Sequence, residues 1–244
     1  MMNFEKKQME NMTKRSIASL VLENHRIVPV LEKYSIDFCC RGKMNLEDAC
    51  NDKGIGISEV LKDLEAVGTE ERGRSMPFTE MTKAQLVNHI VTTHHYYVKC
   101  IMPVIAGHLD KVVAKHGESF PYMHRVKDLF AIIHKEMGEH MKKEEAILFP
   151  RILVTEKINW QKNLFPEHYI SGPIAMMEQE HENAGDMLFE IRSLTNQYAV
   201  PHGACTTFRI CLSELKEFED DLHEHVHLEN NILFPKALQY CQAV

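Results

Sequence analysis

Long apolar runs are missing from this chain of 244 residues. None approaches the ~20 residues that cross a bilayer, which excludes a helical membrane span. The stretch from Met1 to Lys14 is polar and charged, without the apolar segment of a secretory signal. The expectation is a cytoplasmic protein. An excess of basic residues is also missing, with 28 Lys and Arg against 35 Asp and Glu and a net charge of −7. A nucleic-acid binder would show a basic surface, so that class is set aside. A disulfide framework is lacking as well. Seven cysteines are an odd number at irregular spacing, as expected for reduced thiols. Finally, Val, Ile and Thr do not cluster in alternating runs, so no strand is expected.

What is present is helix and histidine. Hydrophobic residues reach 44%, enough for a sizeable core, and there are 15 histidines, the side chain most used to bind metals. The fold expected is all-α: a small N-terminal helical domain over residues 1–67, a linker over 68–78, and an antiparallel four-helix bundle over 79–244. In the first part, residues 17–32, 46–51 and 58–66 read as short helices with apolar positions three and four apart. Glycine-containing loops separate them, one holding Asp37-Phe38-Cys39-Cys40-Arg41-Gly42-Lys43 and one holding Gly54-Ile55-Gly56. In the second part, four long helices are expected near 82–115, 123–154, 172–198 and 206–240. Thr82 and Gln85 have the spacing of a capping box at the first, and Pro173 suits the first turn of the third.

One pattern occurs twice. His140 and Glu144 are followed by Leu148-Phe149-Pro150, and His225 and Glu229 by Leu233-Phe234-Pro235. Residues four apart share a helix face, so each segment sets an imidazole beside a carboxylate. Both pairs fall in apolar stripes: Val126, Phe130, Ile133, Met137, His140, Glu144, Ile147, and Cys211, Leu215, Phe218, Leu222, His225, Glu229, Ile232. A carboxylate buried without compensation costs several kcal/mol. Neither stripe holds a lysine or arginine near the pair, and metal ions are the natural counter-charge. His95 lies in the stripe Val87, Val91, Val98, Met102, and His181 in the stripe Ile174, Met177, Ala184, Leu188. Each half of the bundle thus offers one lone histidine and one His–Glu pair. The six together, His95, His140, Glu144, His181, His225 and Glu229, suit two metals, each with two imidazoles and both bridged by the carboxylates. Nitrogen and oxygen ligands fit iron, manganese or zinc, and a carboxylate-bridged pair in a helical bundle favours iron. Two divalent ions against two carboxylates leave positive charge, which favours an oxo or hydroxo bridge.

The remaining candidates are less constrained. His94 adjoins His95, and a small register shift would exchange them. His116 closes the first bundle helix, where it lines an entrance or approaches a metal. Glu180 precedes His181 and is placed to hold or hand on a proton behind the ligands. Cys39 and Cys40, beside Arg41 and Lys43, are expected to have thiolate character, for a soft metal, disulfide exchange or a partner. Cys50, Cys100, Cys205, Cys211 and Cys241 read as packing residues.

These residues resemble the RIC, or repair of iron centres, family, also called ScdA or YtfE. The likeness rests on His140 to Pro150, on Glu180-His181-Glu182-Asn183-Ala184-Gly185, on His225 to Pro235, and on Asp37-Phe38-Cys39-Cys40. It runs from about residue 17 to 237. The resemblance implies a cytoplasmic, hemerythrin-like di-iron protein, induced by nitrosative and oxidative stress. Such a protein helps restore damaged iron–sulfur clusters by donating iron, and forms homodimers. The six residues named above would ligate two non-haem irons, and Cys39 and Cys40 would match the family's cysteine motif. Arg41 stands where the family usually has glycine, which makes a tight turn there less permissive. Two other functions fit the same ligands: a store or sensor of O2 or NO, and an oxidoreductase that reduces NO at the irons with Cys39 and Cys40 as a redox relay.

Overall fold

The computed structural model describes residues 12–67, 78–157 and 168–242. The expected linker, but for its last residue, lies outside them. Among the described residues there is no strand, and the fold is all-α. Two compact units are formed, one by the residues up to Met81 together with Val226–Ile232, the other by Thr82–His225 with Leu233 onward.

The first unit carries four short helices, α1 (Ile17–Glu23), α2 (Val28–Lys33), α3 (Leu46–Lys53) and α4 (Ile57–Ala66). Their ends follow local chemistry. The Ser16 hydroxyl accepts from Ser19 N at 3.2 Å, and the Asn45 side chain accepts from Asp48 N at 2.8 Å. Gly54, in the left-handed region at φ 66°, stops α3. Ile17, Leu31, Leu46 and Val60 are fully buried among them. Backbone bonds from Ile17 N to Met44 O (2.9 Å) and from Ala18 N to Gly42 O (2.8 Å) tie the cysteine loop to α1.

Four long rods build the bundle. The first is α5 (Lys83–His89), a π-helical turn (Ile90–His95) and α6 (Tyr96–His116). The second is α7 (Tyr122–Lys143), a π turn (Glu144–Leu148) and α8 (Phe149–Lys157). The third is α9 (Ser171–Leu194), unbroken. The fourth is α10 (Thr206–Leu228), a π turn (Glu229–Leu233) and α11 (Phe234–Gln242). The capping box opens α5 as expected, with Gln85 N on Thr82 Oγ1 at 3.2 Å and Thr82 N on Gln85 Oε1 at 2.9 Å.

The π turns correct the stripes read from strict α-helical spacing. Each inserts one residue into its rod, and one residue is about 100° of rotation. Ile147, expected inside, is 46% exposed, and Leu148 takes the core position instead. In the first rod, Ile90 is fully buried while Val91 is only partly so. The third rod has no π turn, and its expected stripe of Ile174, Met177, Ala184 and Leu188 around His181 is buried throughout.

Candidate metal centre

The six side chains singled out by spacing converge. Ligand atoms of His95, Glu144, His225 and Glu229 lie within 4.8 Å of one another, as do those of His140, Glu144, His181 and Glu229. The two carboxylates belong to both groups, as bridging ligands would. All six residues are at most 1% exposed. Glu144 Oε2 is 3.3 Å from His95 Nε2 and 3.3 Å from His140 Nε2. His140 Nε2 is 2.9 Å from His181 Nε2.

Protons on the outer nitrogens sharpen the fit. His95 Nδ1 sits 2.7 Å from Glu145 Oε1, and His140 Nδ1 sits 2.9 Å from Glu180 Oε2. A carboxylate accepts, so each Nδ1 carries the proton, which leaves the Nε2 lone pair of the neutral ring as the one available to a metal. In each case that lone pair faces Glu144. A cation between Nε2 and the carboxylate, whether a proton or a metal ion, joins two groups that would otherwise repel, and the pair of imidazoles on one carboxylate suits a metal ion. The residues therefore fit a metal pair.

The groups behind these side chains are charged and paired. Lys99 Nζ lies 2.6 Å from Glu145 Oε1, and Lys143 pairs with Glu180. The hydrogen bond with His140, reinforced by Lys143 against partial burial, holds the Glu180 carboxyl down at about 2. Burial pushes Glu145 up, but its bonds from Lys99 and His95 outweigh that and hold it below the usual range. Both carboxylates are thus ionised as the imidazoles require. The aromatic tails of the repeated motif form the other wall. Phe149 stacks on His95, with ring centroids 5.8 Å apart at 20°, and Phe234 stacks on His181 at 6.2 Å and 2°.

Comparison with known proteins agrees with this geometry. Residues 86–237 match the hemerythrin HHE cation-binding domain, and residues 13–68 match the ScdA N-terminal domain, described as a domain of unknown function. The chain is 32% identical over 225 residues to the iron–sulfur cluster repair protein YtfE of Dickeya chrysanthemi, covering 92% of this chain and 97% of that one. It is 33% identical, with the same coverage, to YtfE of Yersinia pestis, and 32% to that of Pectobacterium atrosepticum. The chain belongs to the YtfE family of iron–sulfur cluster repair proteins.

Other candidates of the YtfE-like chain fall in different places. His94 is also buried, 2% exposed, but its Nδ1 meets Asp221 Oδ1 at 3.0 Å and its ring stacks on His225 at 5.7 Å and 10°. It backs the centre rather than joining either ligand group. His116 also stands apart from both groups, its ring against Phe120 and Phe208. His227, two residues after His225 and not itself a candidate, packs on Phe38 and meets Asn231 Nδ2 at 3.0 Å.

The expected thiolate character fails at Cys39. Its thiol is raised well above the ordinary value by Cys40, burial and Asp37, influences that outweigh the basic residues next in sequence. Arg41, by contrast, costs the turn nothing, since its φ is not in the left-handed region. Gly42 takes the tight position, where a Cβ would come within 2.4 Å of Phe38 O. Cys100 is exposed rather than packed, and the Cys241 side chain lies outside the described residues. Sequence reasoning missed Glu145, hidden as the second of two adjacent glutamates, and missed that Phe149 and Phe234 cover the lone histidines. The matching tails were the available signal.

Proposed function

We propose that the chain holds two non-haem iron ions on His95, His140, Glu144, His181, His225 and Glu229, and supplies iron to repair iron–sulfur clusters damaged by nitrosative or oxidative stress. The supporting observation is the buried set of four imidazoles sharing two carboxylates, in a chain whose relatives carry the repair name. Iron bound there would supply a transferable cation with open positions for small ligands such as NO or O2. The protein's own groups set how it is held. Glu145 and Glu180 fix the proton on Nδ1 of two histidines, Phe149 and Phe234 keep water from two rings, and Glu144 and Glu229 balance the charge. The partners on this reading are damaged iron–sulfur proteins in the cytoplasm, with a second copy of the chain forming a homodimer.

The test is direct. A [4Fe–4S] dehydratase is inactivated with NO, the iron-loaded protein is added anaerobically, and activity is followed. Recovery beyond that from an equal dose of ferrous ion, absent with the metal-free protein, is the expected outcome. No recovery, with iron still tightly held, would instead assign the centre to binding or reducing NO or O2.

A further inference from the structure

The Cys39–Cys40 turn is built in a way the repair reading does not require. Adjacent side chains of an extended chain point to opposite faces. Here Asp37 Oδ1 accepts from the backbone N–H of both Cys39 and Cys40, at 2.9 Å each, and folds the pair onto one side. The Cys39 thiol donates to the same oxygen at 3.2 Å. The two Sγ atoms come to 3.8 Å, far beyond the ~2.05 Å of a disulfide. Two thiolates ~2.3 Å from a tetrahedral ion stand about 3.8 Å apart. Ligand atoms of Asp37, Cys39 and Cys40 all lie within 4.8 Å of one another.

The turn is held from outside. Asn231 Nδ2 donates to Phe38 O at 3.2 Å and to Cys39 O at 3.4 Å, and Asn230 Nδ2 donates to Cys39 O at 3.4 Å. All these residues belong to the first unit. Cys39 is 3% exposed, whereas Asp37 and Cys40 are only partly covered, so the donors can be reached from their side. Three potential ligands are thereby gathered at one point: the thiols are held by the Cys39 hydrogen bonds to Asp37 and Cys40, and a cation replacing their protons would let all three groups bind it as anions.

We propose that Asp37, Cys39 and Cys40 form a second metal site, separate from the histidine–glutamate centre, that takes one borderline-soft divalent ion such as zinc or ferrous iron. The ion forms one bond to each sulfur and one to the Asp37 carboxylate, leaving a fourth position for an exogenous ligand. Both thiols lose their protons to solvent, so each ion bound releases two protons, and no electron is transferred.

Cadmium is the probe, as a spectroscopically visible substitute for zinc. The full chain, its histidine–glutamate centre loaded with iron and its thiols reduced, is titrated anaerobically with cadmium. Thiolate-to-cadmium absorbance, proton release, retained iron and the thiols protected from alkylation (mapped by mass spectrometry) are read together. The expected result is one cadmium per chain with iron retained, two protons released, and Cys39 and Cys40 protected. Cys40→Ser abolishes the absorbance. Asp37→Asn keeps an oxygen to accept the two turn hydrogen bonds, and therefore retains the absorbance with affinity lower by roughly tenfold or more. Absence of thiolate absorbance, protection of Cys100 or Cys205 instead, cadmium entering only as iron leaves, or an unchanged titration in Cys40→Ser would each overturn the proposal. The mapping on the unaltered chain decides even if a cysteine variant folds poorly. Repair is not the readout, so failure of this site and failure of the repair reading are distinguishable.

Discussion

Glu145 and Glu180 act alike from different rods. Each accepts from the Nδ1 of one histidine and is held by one lysine. Replacing a carboxylate that orients a ligating histidine typically costs 10–100-fold in metal affinity. Glu145→Ala and Glu180→Ala are each expected to speed iron loss to a chelator by about that range, measured by stopped-flow or slow chelation, with helical content unchanged. A second prediction concerns Cys205. Backbone N–H of Phe208 and the His116 ring, acting against partial burial, bring its thiol down to about 7. A depressed thiol is ionised above its own value, so alkylation of Cys205 should rise through pH 7, whereas an ordinary thiol rises near ~8.5. At pH 7 about half of Cys205 would be thiolate. His116→Ala should move that midpoint upward, with exposed Cys100 as the internal comparison. At this scale the convergence of the six buried side chains was legible because a carboxylate in an apolar stripe is anomalous by itself. Glu145 was not, because its role arises from His95, 50 positions away, and Cys205 was not, because its thiol depends on the Phe208 backbone N–H at a helix start and on His116, far off in sequence.

Elements hold the centre through their irregularities. His95 ends one π turn, and Glu144 and Glu229 each begin another. π turns interrupt the regular hydrogen-bond ladder and recur at functional sites. The rods were legible from 3.6-residue periodicity, with ends within a few residues of those found. The π turns were not, since an inserted residue leaves apolar residues on either side of the slip, as at Ile147 and Leu148. Between α9 and α10 lies a further device. Asn196, Gln197 and Tyr198 all have positive φ, 48°, 61° and 58°, each costing about 1–2 kcal/mol for an L residue. Buried Glu219 anchors the turn, accepting from Tyr198 Oη at 2.8 Å and pairing with Arg192 Nη2 at 2.8 Å. Glu219→Ala would leave Arg192 and Tyr198 without their shared acceptor and is expected to cost about 3–5 kcal/mol, read by urea denaturation. In the first unit, Gly42→Ala would press a Cβ against backbone at 2.4 Å and against Ala18 Cβ at 3.0 Å. It should lower the melting temperature and loosen the cysteine turn, raising Cys39 alkylation.

For the whole molecule, the proposed use of six buried side chains as ligands would make metal occupancy part of folding stability. An ion that binds only the folded chain stabilises it by RT ln(1 + [L]/Kd), about 2.7 kcal/mol at a hundredfold excess over Kd. Iron loading should therefore raise the melting temperature, and chelation should return it to the metal-free value. No described helix is long and apolar enough to cross a membrane, in keeping with the lack of long apolar runs in the sequence. Fold class was legible from composition and period, since helix faces are local, whereas the pairing of rods at the centre became visible only once the two His–Glu repeats were matched to two lone histidines. The most direct measurement is metal content after anaerobic reconstitution with ferrous ion and desalting, compared between the natural chain and Glu229→Ala. The account predicts two irons per chain, with the Mössbauer signal of a coupled pair, and loss of that pair in Glu229→Ala. One metal per chain, or an unchanged pair in the variant, would contradict it.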